Sequence, residues 1–186
     1  MRPSSIEREE PVAPEYPLRG GGRALLAGLF AVYIVLLAWI VVWKLEVPFT
    51  GTAGLRHVKL VPFAASGADT ASNPLEVIVN VLLFMPLGVY LGLLAPSWRW
   101  WKPAGAIAGS SLALETAQYA LAVGSTDVTD AVSNTAGGLV GLALLALAGR
   151  RLGAGTVRTM TRICLVGTVL AVLACGAFFA SPVHYR

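Results

Sequence analysis

The sequence predicts an all-α, polytopic integral membrane protein with about five transmembrane helices, and three observations support this fold class. Of the 186 residues, 56% are hydrophobic and only 13% are charged, whereas soluble domains are about 25% charged. The apolar residues form blocks of roughly 18–20, long enough for a helix to cross the roughly 30 Å hydrocarbon layer. The basic residues behind the net charge of +4 flank these blocks, so we expect no nucleic-acid partner.

The first 22 residues are polar and rich in proline and glycine. We therefore expect 1–22 to be a disordered cytoplasmic tail, 23–181 to be the transmembrane domain and 182–186 to be a short tail. The apolar block after the first tail is too long for the core of a signal peptide and is expected to anchor the chain. The predicted helices cover about 24–42, 74–94, 103–123, 130–148 and 163–180.

Several residues mark the ends and bends of these helices. Pro74 suits the first turn of the second helix, and Pro86 inside it is expected to cause a kink. Three tryptophans surround Arg99 in the loop that follows, as in the aromatic belt at a membrane surface: Trp98, Trp100 and Trp101.

The distribution of Lys and Arg predicts the orientation in the membrane. With the N-terminus inside, ten of the 14 basic residues lie in cytoplasmic segments and four lie outside, which agrees with the positive-inside rule. We therefore expect a protein of the bacterial cytoplasmic membrane with a cytoplasmic N-terminus.

Small residues four positions apart, which let helices approach closely in lipid, occur in three successive predicted helices. We expect helices two, three and four to form a tightly packed core. The pairs are Gly88 and Gly92, Gly105 and Gly109, and Gly137 and Gly141.

The same three helices carry polar residues on shared faces, at positions i, i+3, i+4 and i+7. An ionisable group inside a bilayer costs roughly 2.5–3.5 kcal/mol on insertion scales, so these residues need a common polar environment. In the predicted topology all of them lie toward the outer ends of their helices, and we expect a pocket open to the extracytoplasmic side. The residues are Glu76, Asn80, Ser111, Glu115, Gln118, Asp127, Asp130 and Asn134.

Simpler roles compete with a functional one for most of these residues. Asp127 or Asp130 suits the N-terminal cap of helix four, and Asn80 or Asn134 suits a hydrogen bond between helices. Glu115 is the hardest to explain structurally, because it lies roughly 12 Å below the predicted end of its helix by rise.

The long loop before helix two contains Arg56, His57 and Lys59, followed by Leu60-Val61-Pro62-Phe63. These basic residues could neutralise the acidic pocket or hold a phosphate, and His57 could carry a proton near neutral pH. The alternative is a solvated loop with a hydrophobic anchor.

Four segments together resemble the VanZ-like family of membrane proteins. They are Leu60–Phe63, the run Asn80-Val81-Leu82-Leu83-Phe84-Met85-Pro86-Leu87-Gly88, the Glu115-x-x-Gln118 helix, and Asp127-x-x-Asp130-x-x-x-Asn134-x-x-Gly137. The chain departs from the family pattern at 124–126, where Gly-Ser-Thr stands in a place that is often occupied by Arg. The resemblance implies an association with resistance to the glycopeptide teicoplanin, without a settled biochemical mechanism.

Three classes of function follow from these residues. The first is an enzyme acting on lipid head groups or lipid-linked cell-envelope precursors, with phosphoester chemistry. There Glu115 is the general base, and Asp127 and Asp130 act as acid and nucleophile or hold a divalent cation as cofactor. Substrate binding then falls to Asn80, Gln118, Asn134, Arg56, His57 and Lys59.

The second class is a non-catalytic binding or assembly protein of the cell envelope, in which bulky changes at Gly105 or Gly137 would be the most harmful. The third class is a transporter or lipid-flipping module. The inner halves of helices two and four contain no ionisable residue, which argues against a continuous polar path.

Overall fold

The computed structural model describes residues 20–43, 58–59, 73–123 and 126–180. Over these ranges the chain is helical apart from two two-residue strands and short connecting turns, which agrees with the predicted all-α class. The helices are α1 (Gly20–Trp43), α2 (Pro74–Leu94), α3 (Trp101–Leu121), α4 (Val128–Leu152) and α5 (Thr156–Ala180), and the strands are β1 (Val58–Lys59) and β2 (Thr126–Asp127). A 3-10 turn at Gly153–Gly155 joins α4 to α5.

Three segments of the described chain are long and apolar enough to cross a membrane. They are Gly20–Trp43, Pro74–Leu94 and Val128–Ala180, the last of which contains both α4 and α5. These segments support a multi-pass membrane protein.

Helix α2 has the predicted bounds because its sequence carries a clear start signal. The Asn73 side chain accepts a hydrogen bond from Leu75 N at 3.0 Å, which satisfies one of the open N–H groups of the first turn. Pro74 follows at the first helical position. The helix continues through Pro86 to Leu94.

The first and third helices begin earlier than the sequence predicted. Helix α1 begins at Gly20 rather than Ala24, so three glycines assigned to the tail form its first turn, while residues 1–19 lie outside the described residues. Helix α3 begins at Trp101 rather than Pro103 and ends at Leu121, because Ala122 adopts a left-handed conformation with φ 55°. In lipid, hydrogen bonding within a helix outweighs the modest propensity cost of glycine.

The fourth and fifth helices are longer than predicted, and the basic segment between them is mostly helical. Helix α4 extends through Arg150 and Arg151 to Leu152, and α5 begins at Thr156 rather than Ile163. The helices can absorb these arginines because long basic side chains can reach the interface while the backbone stays hydrogen bonded. Residues 181–186, including the predicted tail, lie outside the described residues.

Helices α2 and α4 run in the same direction and make the most extensive contact of the bundle. A Cβ atom on Gly137 would lie 2.8 Å from Val81 Cα, and one on Gly141 would lie 2.9 Å from the Met85 carbonyl carbon. A Cβ on Gly88 would likewise lie 2.8 Å from Leu142 N. The two backbones therefore touch over about two turns, as small residues permit in membrane helices.

The glycine pair of α3, Gly105 and Gly109, does not bring α3 into close backbone contact with another described helix. A Cβ added to Gly105 or Gly109 would meet no atom of the described chain within 4 Å. Helix α3 instead contacts α4 through larger side chains, since Ile107 is fully buried and reaches Gly138. The expectation that a bulky residue at Gly105 would be harmful is therefore not supported by the packing.

Helices α1 and α5 pack against the other side of α2. Tyr33 donates a hydrogen bond to the Leu83 carbonyl at 2.7 Å, one turn before Pro86. Tyr90 lies 2.7 Å from the Thr168 hydroxyl and is 1% exposed. Near the opposite end of α1, Trp39 stacks on Phe179. These contacts fix α1 and α5 beside the α2–α4 pair.

The two short strands pair in parallel, with Val58 opposite Thr126 and Lys59 opposite Asp127. They join the segment before α2 to the start of α4. The chain before α2 and the chain before α4 therefore lie at the same end of the bundle, where the polar residues of α2, α3 and α4 also lie.

Candidate functional site

Three of the predicted site residues lie at the same depth in the bundle. Asn80 is six residues after the start of α2, Asn134 is six residues after the start of α4, and Glu115 is six residues before the end of α3. At 1.5 Å of rise per residue, each lies about 9 Å from the same end of the bundle. This depth is slightly less than expected for Glu115, because α3 ends earlier than predicted.

Asn80 and Asp130 connect α2 to α4 at this level. The Asn80 amide donates a hydrogen bond from Nδ2 to Asp130 Oδ1 at 2.8 Å. The Asn80 amide nitrogen therefore bridges two helices, as the simpler of the two interpretations of this residue predicted. This bond holds the Asp130 carboxylate toward the space between the helices instead of toward lipid.

Glu115 and Gln118 supply the α3 side of the site. They are 2% and 4% exposed, respectively. The Gln118 Nε2 donates a hydrogen bond to the Val41 carbonyl of α1 at 2.9 Å, which fixes the orientation of the amide. Its Oε1 is buried and has no hydrogen-bond partner among the described residues.

Asn134 is the most unusual polar residue of the site. Its side chain is 0% exposed, and within the described part of the chain neither Oδ1 nor Nδ2 has a hydrogen-bond partner. Leaving a buried polar group unsatisfied costs about 1–3 kcal/mol, and most native buried groups avoid it. The predicted alternative for Asn134, a bridge between helices, is therefore not observed in the described residues.

The side chains from α2, α3 and α4 line one pocket of about 320 Å³, together with two residues of α1. This volume lies within the range of roughly 300–1,000 Å³ that is typical of ligand sites. Glu76, near the start of α2, also lines it. The described residues that line it are Ile40, Val41, Leu75, Glu76, Val79, Asn80, Leu83, Glu115, Gln118, Asp130 and Asn134.

The described lining contains three carboxylates, those of Glu76, Glu115 and Asp130, and no Lys, Arg or His. The amide groups of Asn134 and Gln118 lie beside them. Such a lining offers hydrogen-bond acceptors and a region of negative charge that suits a cationic or donor-rich group.

Asp127 lies outside this pocket. Its carboxylate accepts a hydrogen bond from Thr129 N at 2.8 Å and caps α4, as one of the two expectations for it proposed. Among the described residues no group of three or more His, Cys, Asp or Glu could hold a metal ion. A divalent cation on Asp127 and Asp130 stays a prediction with no support from this geometry.

The side chains of the predicted basic residues lie outside the described part of the structure. Arg56 and His57 lie outside the described residues, as do Leu60–Phe63, and only the backbone of Lys59 is described, in β1. Ser111 is the remaining α3 residue among those expected to line the pocket. It is fully buried, and its hydroxyl donates a hydrogen bond to the Ala131 carbonyl at 3.3 Å. It therefore joins α3 to α4.

Sequence reasoning missed the contribution of α1. Ile40 and Val41 line the pocket, and the Val41 carbonyl orients Gln118. Both residues are apolar members of a uniformly apolar helix, so no polar pattern marks them. Only the packing of α1 against α3 identifies this wall.

Comparisons of the sequence with known proteins identify a family. A sequence model of the VanZ/LLP1 family matches residues 30–149, a range that includes the whole pocket lining. Protein VanZ of Enterococcus faecium is 33% identical over 155 residues, which cover 82% of this chain and 91% of that protein. A comparison with solved structures finds no match. The chain is therefore a multi-pass membrane protein that belongs to the VanZ/LLP1 family.

Proposed function

We propose that this protein binds and acts on the head group of a membrane lipid or of a lipid-linked cell-envelope precursor, in the pocket between α1, α2, α3 and α4. The observation that carries the proposal is the Asn134 amide, which is fully buried beside three carboxylates and has no hydrogen-bond partner among the described residues. A polar ligand that pairs with this amide would offset the cost of burying it.

The proposed orientation puts this pocket in the outer leaflet of the bacterial cytoplasmic membrane. The chain crosses the membrane five times from a cytoplasmic N-terminus, with α3 as the most polar crossing. The distribution of basic residues supports this orientation. The burial of the polar face of α3, at Ser111, Glu115 and Gln118, supports α3 as a crossing inside the bundle.

In the proposed phosphoester reaction Glu115 is the general base, which removes a proton from water or a hydroxyl group as that oxygen attacks phosphorus, and the P–O bond to the leaving oxygen breaks. Asp130 is held by Asn80 and lines the same pocket, where in its protonated form it can give a proton to the leaving oxygen. Asn134 and Gln118 orient the head group, and Arg56, His57 or Lys59 would hold its phosphate.

The resemblance of the motifs to the VanZ-like family leads us to propose protection against teicoplanin as the phenotype. The test is to express the chain in a teicoplanin-susceptible Gram-positive host and to measure the inhibitory concentration. We expect Asn134→Leu to abolish protection while the abundance and melting temperature of the protein are kept or raised. Val132→Leu, on the lipid-facing side of α4, is the matched control.

The alternative, a non-catalytic binding or assembly protein, is separated from an enzyme by Glu115→Gln. This change keeps the shape of the side chain and one acceptor oxygen, but it replaces the other carboxylate oxygen with an NH2 donor and removes the base. Loss of protection with normal abundance favours catalysis. Retained protection in Glu115→Gln, together with loss in Asn134→Leu, favours binding without chemistry. Retained protection in both variants refutes a role of the pocket.

A further inference from the structure

A second cavity lies between α1, α2 and α5, with Leu144 of α4 at its edge. Its volume is about 460 Å³. Its few hydroxyl groups bind within the protein, since Tyr33 donates to the Leu83 carbonyl and Tyr90 lies 2.7 Å from the Thr168 hydroxyl. The cavity therefore presents a largely apolar surface, in contrast to the polar pocket.

The two cavities are adjacent, because Ile40 and Leu83 line both of them. From this shared boundary the apolar cavity continues seven residues along α1, to Tyr33, and seven residues along α2, to Tyr90. Seven residues correspond to about 10 Å of helix. On α2, Leu83 is nine residues and Tyr90 sixteen residues after Pro74, which places them about 14 and 24 Å from that end of the helix. The cavity therefore reaches past the middle of a bilayer of roughly 30 Å.

The rim of the apolar cavity faces the surroundings of the bundle. Leu82 and Ile163 line it and are 56% and 55% exposed, so their side chains would contact lipid. Water is a poor occupant, because an apolar cavity offers it no hydrogen-bond partners. An empty cavity would forfeit the dispersion contacts of its walls. Hydrocarbon is therefore the occupant with suitable chemistry.

We infer that the apolar cavity binds one hydrocarbon chain of the same lipid whose head group occupies the polar pocket, so that the two cavities form a single site for an amphiphile. This inference rests on the proposed function for the head group and adds the chain as a second recognition element. The adjacency at Ile40 and Leu83 supports a single ligand, because the head and chain of one lipid must be covalently continuous.

The apolar cavity, as the site for the hydrocarbon chain, contributes more to the position of the head group than to the affinity for the lipid. A hydrocarbon chain that leaves the bilayer for an apolar cavity gains no hydrophobic free energy, since lipid tails are as apolar as the cavity walls. Its benefit is that it fixes the depth and rotation of the head group beside Glu115 and Asn134. Correct positioning of a reacting group is itself a large part of catalysis.

The experiment uses the full-length protein in proteoliposomes that contain one of two photoreactive lipids. One is a phosphatidylethanolamine with a diazirine in an acyl chain, and the other is a polyprenyl phosphate with a diazirine in the chain. After irradiation, labelled positions are mapped by mass spectrometry. We expect labelling concentrated at residues that line the cavity, namely Leu36, Ile40, Ile163, Gly167 and Ala171.

Two glycines of α5 provide a matched pair of variants. A Cβ at Gly167 or at Gly176 would meet no described atom within 4 Å, but only Gly167 lines the cavity. We expect Gly167→Phe to fill the cavity and to lower labelling there about tenfold. A tenfold loss corresponds to roughly 1.4 kcal/mol of binding free energy. Gly176→Phe should leave labelling unchanged. Both variants are compared only as monodisperse protein with normal yield.

Labelling by either lipid that Gly167→Phe removes supports the chain site, and the reactive probe identifies the source of the chain. Labelling spread evenly over lipid-facing residues such as Leu170 and Leu173, or unaffected by Gly167→Phe, overturns it. If that occurs while Asn134→Leu still abolishes teicoplanin protection, the head-group proposal stands and only the chain site fails. If the cavity is labelled but Asn134→Leu has no effect on teicoplanin protection, a chain site is supported and the head-group proposal fails.

Discussion

The close contact between α2 and α4 predicts that a single methyl group at Gly141 will destabilise the protein. In Gly141→Ala the added Cβ would overlap the Met85 carbonyl oxygen, and it would lie 2.9 Å from the Met85 carbonyl carbon and 3.2 Å from Val89 N. All three are backbone atoms of α2, so no side-chain rotation can relieve the overlap. The two helices must move apart at the level just below the polar pocket.

The expected size of the effect follows from these distances. Ordinary carbon–carbon contacts lie at about 3.5–4.0 Å, so the helices must separate by about 1 Å at Gly141. Such overpacking costs about 1–3 kcal/mol, and the better helix propensity of alanine returns up to about 1 kcal/mol. With the full return the net loss is up to about 2 kcal/mol, which corresponds to a fall of up to about 8 °C in melting temperature for a chain of this size.

The assay is thermal denaturation of the detergent-solubilised protein, followed by the loss of the monodisperse peak in size-exclusion chromatography. Gly105→Ala is the matched control, because it makes the same chemical change in α3 where no described atom lies within 4 Å. We expect the control to melt at the wild-type temperature or slightly above it. A Gly141→Ala protein as stable as Gly105→Ala would refute the backbone contact between α2 and α4.

Two further predictions concern the capping of α4 and the orientation of the chain. Asp127→Ala should lower stability by about 1 kcal/mol through loss of the N-cap, whereas Asp127→Asn should keep both stability and teicoplanin protection, because asparagine caps equally well. In a variant with Cys164 and Cys175 replaced by alanine, Val123→Cys should react with a membrane-impermeant maleimide in intact cells, and Trp98→Cys only after lysis.

Each of these predictions has a contrary outcome. A stable Asp127→Asn protein that has lost teicoplanin protection would show that the carboxylate acts in function beyond the cap. Reaction of Trp98→Cys, but not of Val123→Cys, in intact cells would reverse the proposed orientation and move the polar pocket to the cytoplasmic leaflet.

Glycines show the limit of pattern reasoning in this chain. The sequence contains the same small-residue spacing in three helices, yet among these six glycines only Gly88, Gly137 and Gly141 bring described backbones into contact. Small residues four positions apart show that one face of a helix lacks large side chains, but they do not show which helix packs against that face. The same limit applies to Asp127 and Asp130, which are three residues apart and have different surroundings, one at the cap and one in the pocket.

Sequence patterns alone predicted the membrane class, the five helices and the common depth of Asn80, Glu115 and Asn134. These features depend on hydrophobic length, helical rise and turn signals, all of which are local properties of the chain. The packing of the helices was needed to show that α1 supplies Ile40 and Val41 to the pocket, and that Asn134 is buried without a hydrogen-bond partner among the described residues. It also decided that an apolar cavity adjoins the pocket. Those features arise where side chains from distant segments meet, and uniformly apolar helices carry no local signal that specifies their neighbours in lipid.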